Sequence, residues 1–159
     1  MYSEITIDEL FEEAEFVKNF IIVKDFERYK LIDLSNKLKD VNKVLEEVYW
    51  LDGNESFGSA SFKSIKHPHT IVVKGKDLCS KSGGLIFPQT KPIILVIENF
   101  DKLETEDQKN YAEQICKREP TDYLPNNYLH EDSVVILSVP SSFAIPRFSY
   151  KVQLRVIKN

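Results

Sequence analysis

The run Ile93-Ile94-Leu95-Val96-Ile97 lies between Lys91-Pro92 and Glu98 with no polar interruption. It is far short of the ~20 apolar residues that a membrane-spanning helix needs. Its β-branched content favours a strand. A strand without alternation is buried on both faces, and such strands belong to parallel sheets covered by helices on either side. Val134-Val135-Ile136-Leu137 repeats the pattern. Between the two runs, Thr105 and Gln108 make a capping-box pair for a helix over about 106–118. Tyr111, Ala112, Ile115 and Cys116 form its inner face, and Pro120 lies just past its end. Strand, helix and strand in this order predict a right-handed βαβ unit. The expected fold class is therefore α/β, a three-layer sandwich with a mainly parallel central sheet.

Toward the N-terminus, Ile7, Leu10, Phe11, Ala14 and Val17 recur at helical spacing behind a Thr6/Glu9 capping box. Phe20 to Val23 reads as a buried strand and Asp25 to Lys30 as a charged turn. Leu31, Leu34, Leu38, Val41, Leu45 and Val48 fit one helix face, so a helix is expected over Asn36 to Val48, with the residues before it left open between helix and strand. Gly53 to Ser64 reads as a loop, and Thr70 to Val73 as a strand. Val152, Leu154 and Val156 alternate with polar residues, the pattern of an edge strand.

A chain of 159 residues fits one domain and can bury a core without covalent staples. Its formal charge of −4 argues against a broad basic footprint, so nucleic acid is not indicated as a partner. Cys79 and Cys116 have no metal-ligand spacing and read as reduced thiols. The first ten residues carry Glu4, Asp8 and Glu9 and no signal-like apolar core. Together these features predict a cytoplasmic protein without a membrane segment.

The stretch Pro92 to Leu103 carries the most chemical information. A buried strand delivers Glu98, Asn99 and Asp101 to its carboxyl end, where ligand groups gather in open α/β sheets. Here the chain resembles the AAA+ P-loop ATPases, whose metal-binding strand is an apolar run followed by Asp and Glu. Glu98 and Asn99 stand in those two places, with Asp101 beyond them. Ser138, at the end of the next apolar run, resembles that family's polar sensor position. The segment Pro146-Arg147-Phe148-Ser149 resembles its Arg-Phe segment, in which an Arg reaches the nucleotide of a neighbouring subunit. The resemblance spans Lys91 to Val156 and implies a P-loop-ATPase-like core without its helical lid. It places the Val134 strand between the Ile93 strand and the Phe20 strand.

The departures from that family are equally specific. No GxxxxGK[ST] occurs, and Gly75 to Gly84 lacks the Gly-Lys-Ser order that cradles phosphate. Asn99 replaces the Glu that would orient a hydrolytic water. The expected function is a non-catalytic, ATPase-like adaptor or scaffold with no cofactor and no metal. Its partner would be another protein, such as an ATPase subunit or a component of a nucleic-acid-processing assembly. Arg147, with Phe143 and Phe148, is the nominated contact. The alternative is a small ligand-binding or hydrolytic α/β enzyme with its site at Glu98, Asn99, Asp101 and Ser138. Plainer readings stand beside these. Glu98 and Asp101 can serve as helix caps, Phe143 and its neighbours can fold back onto the core, and Tyr49 and Trp50, at the end of a helix, read as core or interface anchors. His67 and His69 lack a third ligand, and Ser141-Ser142 lacks a nucleophile elbow.

Overall fold

In the computed structural model, residues 4–12, 20–45, 47–54, 72–73, 91–116, 129–145 and 154–159 are described. The elements run β1 (Glu4–Ile5), α1 (Ile7–Glu12), β2 (Phe20–Lys24), α2 (Arg28–Val41), β3 (Val48–Asp52) and β4 (Val72–Val73). After these come β5 (Ile94–Glu98), a 3₁₀ turn (Phe100–Lys102), α3 (Thr105–Cys116), β6 (Val134–Val139) and β7 (Leu154–Lys158). Among the described residues, the seven strands join one sheet in the order β1-β7-β2-β6-β5-β3-β4. Every pairing is parallel. The fold is an α/β sandwich, as expected. β5 and β6 are parallel neighbours, and β6 lies between β5 and β2.

The unbroken apolar runs are the sheet's centre because they serve two cores at once. Leu95 and Ile97 of β5 face one cluster with Phe20, Ile22, Tyr49 and Leu51, closed by Ala112, Ile115 and Cys116 of α3. Ile94 and Val96 face the other, with Ile21, Val23, Val48 and Trp50, closed by Leu31, Leu34 and Leu38 of α2 and Leu10 of α1. Every residue from Ile93 to Ile97 is fully buried. Each of these side chains contributes about 1.5–3 kcal/mol by leaving water. Ser133 helps align the two central strands, its hydroxyl accepting the Ile93 N–H at 2.9 Å.

Three expectations are corrected. The helix expected over Asn36 to Val48 begins earlier and ends earlier, at Arg28–Val41, and Val48 instead opens β3. Leu31, Leu34 and Leu38 do share its buried face, but Val41 is exposed and Leu45 is buried from the loop beyond. The spacing ran on by coincidence through a loop and into a strand. Tyr49 and Trp50 therefore belong to a strand rather than a helix end, and both are buried. The last strand is not an edge: β7 pairs with β2 on one side and β1 on the other. Its alternation arises because Arg155 is half-buried between Leu154 and Val156.

The Thr6/Glu9 capping box forms, with the Glu9 N–H donating to the Thr6 hydroxyl at 3.2 Å and that hydroxyl donating to the Glu9 carboxylate at 3.1 Å. The Thr105/Gln108 box does not form. α3 already includes Thr105, and the Gln108 N–H donates to the Glu104 carbonyl. Its side-chain amide folds back onto the carbonyls of Asp101 and Leu103 at 3.2 and 2.8 Å. The side chain of Tyr111, Cys79, the histidines His67 and His69, most of the Gly53 to Ser64 loop, and Gly75 to Gly84 lie outside the described residues.

Candidate functional site at the strand carboxyl ends

The register places four residues in one row across the carboxyl end of the sheet. Asp52 pairs with Glu98, Ser138 pairs with Val23, and Ser138 follows Leu137 as Glu98 follows Ile97. Because parallel partners share a face, the row Asp52, Glu98, Ser138, Val23 lies on the α2 side, with Trp50 two residues before Asp52. Two of the residues nominated from sequence, Glu98 and Ser138, thus come together on adjacent strands. Both are buried despite being polar.

Glu98 is held by residues that the sequence reading did not nominate. Arg28, the first residue of α2, forks onto its carboxylate. The Arg28 Nη2 donates to Oε1 at 2.7 Å, and Nε lies 3.1 Å from both oxygens. The Trp50 indole N–H donates to Oε1 at 2.5 Å. The Glu98 side chain is 11% exposed and that of Arg28 45%, so a buried carboxylate is matched by a guanidinium at the rim. Glu98 therefore caps no helix. Its partners come from β3 and from the start of α2, reached from across β6 through the β2–α2 connection.

That connection is Asp25-Phe26-Glu27, three residues between Lys24 and Arg28. Asp25 has a positive φ of 58° and turns the chain sharply. Its N–H donates to the Val139 carbonyl at 3.0 Å, and its carboxylate accepts the Ser141 N–H at 2.9 Å. Phe26 is buried, so the turn is packed down. A phosphate cradle needs a longer glycine-rich loop whose successive N–H groups converge on one point. A three-residue turn with a buried phenylalanine has no room for one.

Asn99 and Asp101 leave the strand in different directions. Asn99 sits in the left-handed region at φ 53°, ψ 40°, where Asn is better tolerated than Glu. Its Nδ2 donates to the Asp52 Oδ1 at 2.9 Å, an oxygen that also accepts the Asn54 N–H at 2.9 Å. Gly53 makes this closeness attainable, because its N–H donates to the Glu98 carbonyl at 2.7 Å. A Cβ there would lie 2.0 Å from the Asn99 carbonyl oxygen. Asp101 sits in the 3₁₀ turn and pairs weakly with Lys102 at 3.8 Å. Its carbonyl, rather than its carboxylate, receives Gln108.

Of the nominated contact residues, Arg147 and Phe148 lie outside the described residues. Phe143 is partly buried and meets the buried ring of Phe100 edge to face, with centroids 6.2 Å apart at 82°. Ser141 and Ser142 are exposed turn residues. Among the described residues, no group of three His, Cys, Asp or Glu is placed to hold a metal ion. No helix among them is long and apolar enough to cross a membrane.

The missed residues left weak signals. Arg28 lies within what reads as a charged turn, since a helix beginning three residues after a strand shows no glycine or capping box. Trp50, Asp52 and Gly53 were legible in principle: Val48-Tyr49-Trp50-Leu51 is a β-branched and aromatic run that ends at an Asp-Gly turn. The chain matches no protein-family model, and neither the curated proteins nor the solved structures give a significant match to it.

Proposed function

We propose that the chain is a non-catalytic, ATPase-like adaptor or scaffold domain that acts by docking on another protein. One observation carries the non-catalytic part of this reading: a three-residue connection follows β2, and just past it Arg28, the first residue of α2, seats its guanidinium on Glu98. In an ATPase of the kind the chain resembles, that connection would wrap phosphate and that carboxylate would face the metal. Here each satisfies the other. The sheet order supports the same reading, because β6 intervenes between β5 and β2 as the resemblance requires. Asn99, in the place of the water-orienting Glu, is turned toward Asp52.

The observation also weighs against an enzyme with its site on these strand ends, since Glu98 is committed to structural partners. Calorimetric titration with Mg-ATP tests the proposal. Without the cradle's converging N–H groups, no saturable heat is expected below roughly millimolar ligand, near the 1 mM that corresponds to about 4 kcal/mol of binding. A micromolar constant overturns the reading.

A further inference from the structure

The resemblance implies a divalent cation beside Glu98, and the residues around Glu98 do not fit one. A hard cation such as Mg²⁺ or Mn²⁺ takes carboxylate oxygens at about 2.0–2.2 Å and several further oxygens around it. Both oxygens of Glu98 already accept hydrogen bonds, Oε1 from Arg28 and the Trp50 indole and Oε2 from Arg28 Nε. A metal on Oε1 would have to displace a nitrogen 2.7 Å away that carries the same sign of charge. Asp52, beside Glu98 in the same row, is already drawn to Asn99 and to the Asn54 N–H through one oxygen.

We propose that Arg28 is an internal cation standing where a metal would stand, and that it keeps divalent cations off the carboxyl ends of β3 and β5. The assignment deepens the closed-site reading above and rests on it. Three features favour it over an ordinary surface ion pair. The guanidinium crosses from the first residue of α2 over the end of β6 to reach β5, the space a ligand would otherwise fill. The contact is a fork engaging both oxygens, a geometry that guanidinium provides and ammonium does not. The carboxylate it meets is buried, so without a cation it would be an uncompensated charge.

Replacing Arg28 with an uncharged side chain then leaves Glu98 and Asp52 on one face of adjacent strand ends and in need of a cation. The test is titration of Arg28→Met and the parent with Mn²⁺, followed by calorimetry and by quenching of Trp50, the chain's single tryptophan. The Trp50 indole N–H lies on the Glu98 carboxylate, so a paramagnetic ion held there reports directly. The expected result is a saturable Mn²⁺ response in Arg28→Met at least about tenfold tighter than in the parent, a difference of about 1.4 kcal/mol. Adding Glu98→Gln should abolish it. If Arg28→Met does not fold, Arg28→Gln, which keeps an amide donor for Glu98, takes its place. A folded variant no more responsive than the parent overturns the proposal, as does a parent that binds Mn²⁺ equally well. Failure of both variants to fold overturns it too, by making Arg28 a requirement of the fold rather than a stand-in for metal. Micromolar Mg-ATP binding by the parent would instead sink the closed-site reading itself, so the two failures are distinguishable.

Discussion

Gly53→Ala is a small change that should disturb the whole row of strand ends. The added Cβ would lie 2.0 Å from the Asn99 carbonyl oxygen, 2.7 Å from its carbon and 3.2 Å from the Glu98 carbonyl oxygen. All three are backbone atoms, so no flexible side chain can yield. Ordinary contact begins near 3.4 Å, and the 2.0 Å approach must open by about 1.4 Å, the difference between the two. A shift of that size breaks the 2.7 Å bond from the Gly53 N–H to the Glu98 carbonyl and pulls Asp52 from Asn99. Each of the two lost bonds costs about 1 kcal/mol and the overpacking about 1–3 kcal/mol, together about 3–5 kcal/mol. For a chain of this size the melting temperature should fall by roughly 6–20 °C. Thermal melting by circular dichroism measures it, with Asn54→Ala as the neighbouring control, since its exposed side chain should leave stability within about 0.5 kcal/mol of the parent. A Gly53→Ala variant melting within about 2 °C of the parent, where 1 kcal/mol moves a domain this size by about 2–4 °C, would show that the strand ends are not packed as closely as described.

Two further outcomes are expected. Leu95→Asp places an unpaired charge at a fully buried position of the central strand. It should cost several kcal/mol, enough to abolish a soluble cooperative fold in a protein stable by about 5–15 kcal/mol, and an unchanged melting temperature would sink the central-strand assignment. Arg28→Ala, Glu98→Gln and the double variant, compared by urea unfolding, should give a coupling of about 1–2 kcal/mol, below the 3–5 kcal/mol of a fully buried pair because water screens the guanidinium. Arg28 is 45% exposed on its side chain, which sets that discount. Additive effects within about 0.3–0.5 kcal/mol would mean that the fork contributes nothing to the fold.

What the sequence discloses follows the physical strength of each signal. The runs at Ile93 and Val134 are legible because burial on both faces leaves no polar residue to blur them. β3 is hidden because Leu45 and Val48 continue the spacing of Leu31, Leu34 and Leu38 although they lie outside α2. The position of β7 cannot be read from its alternation, since its neighbour β1 comes from the other end of the chain. At the candidate site, Glu98 is found by its place after a strand, whereas Arg28 is separated from it by seventy residues. Such a contact exists only once the sheet order brings β2 and β5 to either side of β6.

The closure of the strand ends is a set of mutually dependent features rather than the work of one residue. The three-residue turn positions Arg28 at the start of α2, and Asp25 secures that turn to the ends of β6. Arg28 then neutralises Glu98, a carboxylate that could not otherwise remain buried as a charge. Asn99 accepts a left-handed backbone that a Glu would occupy only with strain, and it binds Asp52, the remaining carboxylate of the row. Gly53 permits the close approach that brings β3 and β5 together at this end. Introducing a single ATPase-like residue would meet the others in opposition. A Glu at position 99 would be strained and would release Asp52, and a lengthened loop would withdraw Arg28 and leave Glu98 uncompensated. Local backbone, turn length and charge all favour the same closed arrangement, and this agreement across levels is what a sequence that specifies one packing at these strand ends should have.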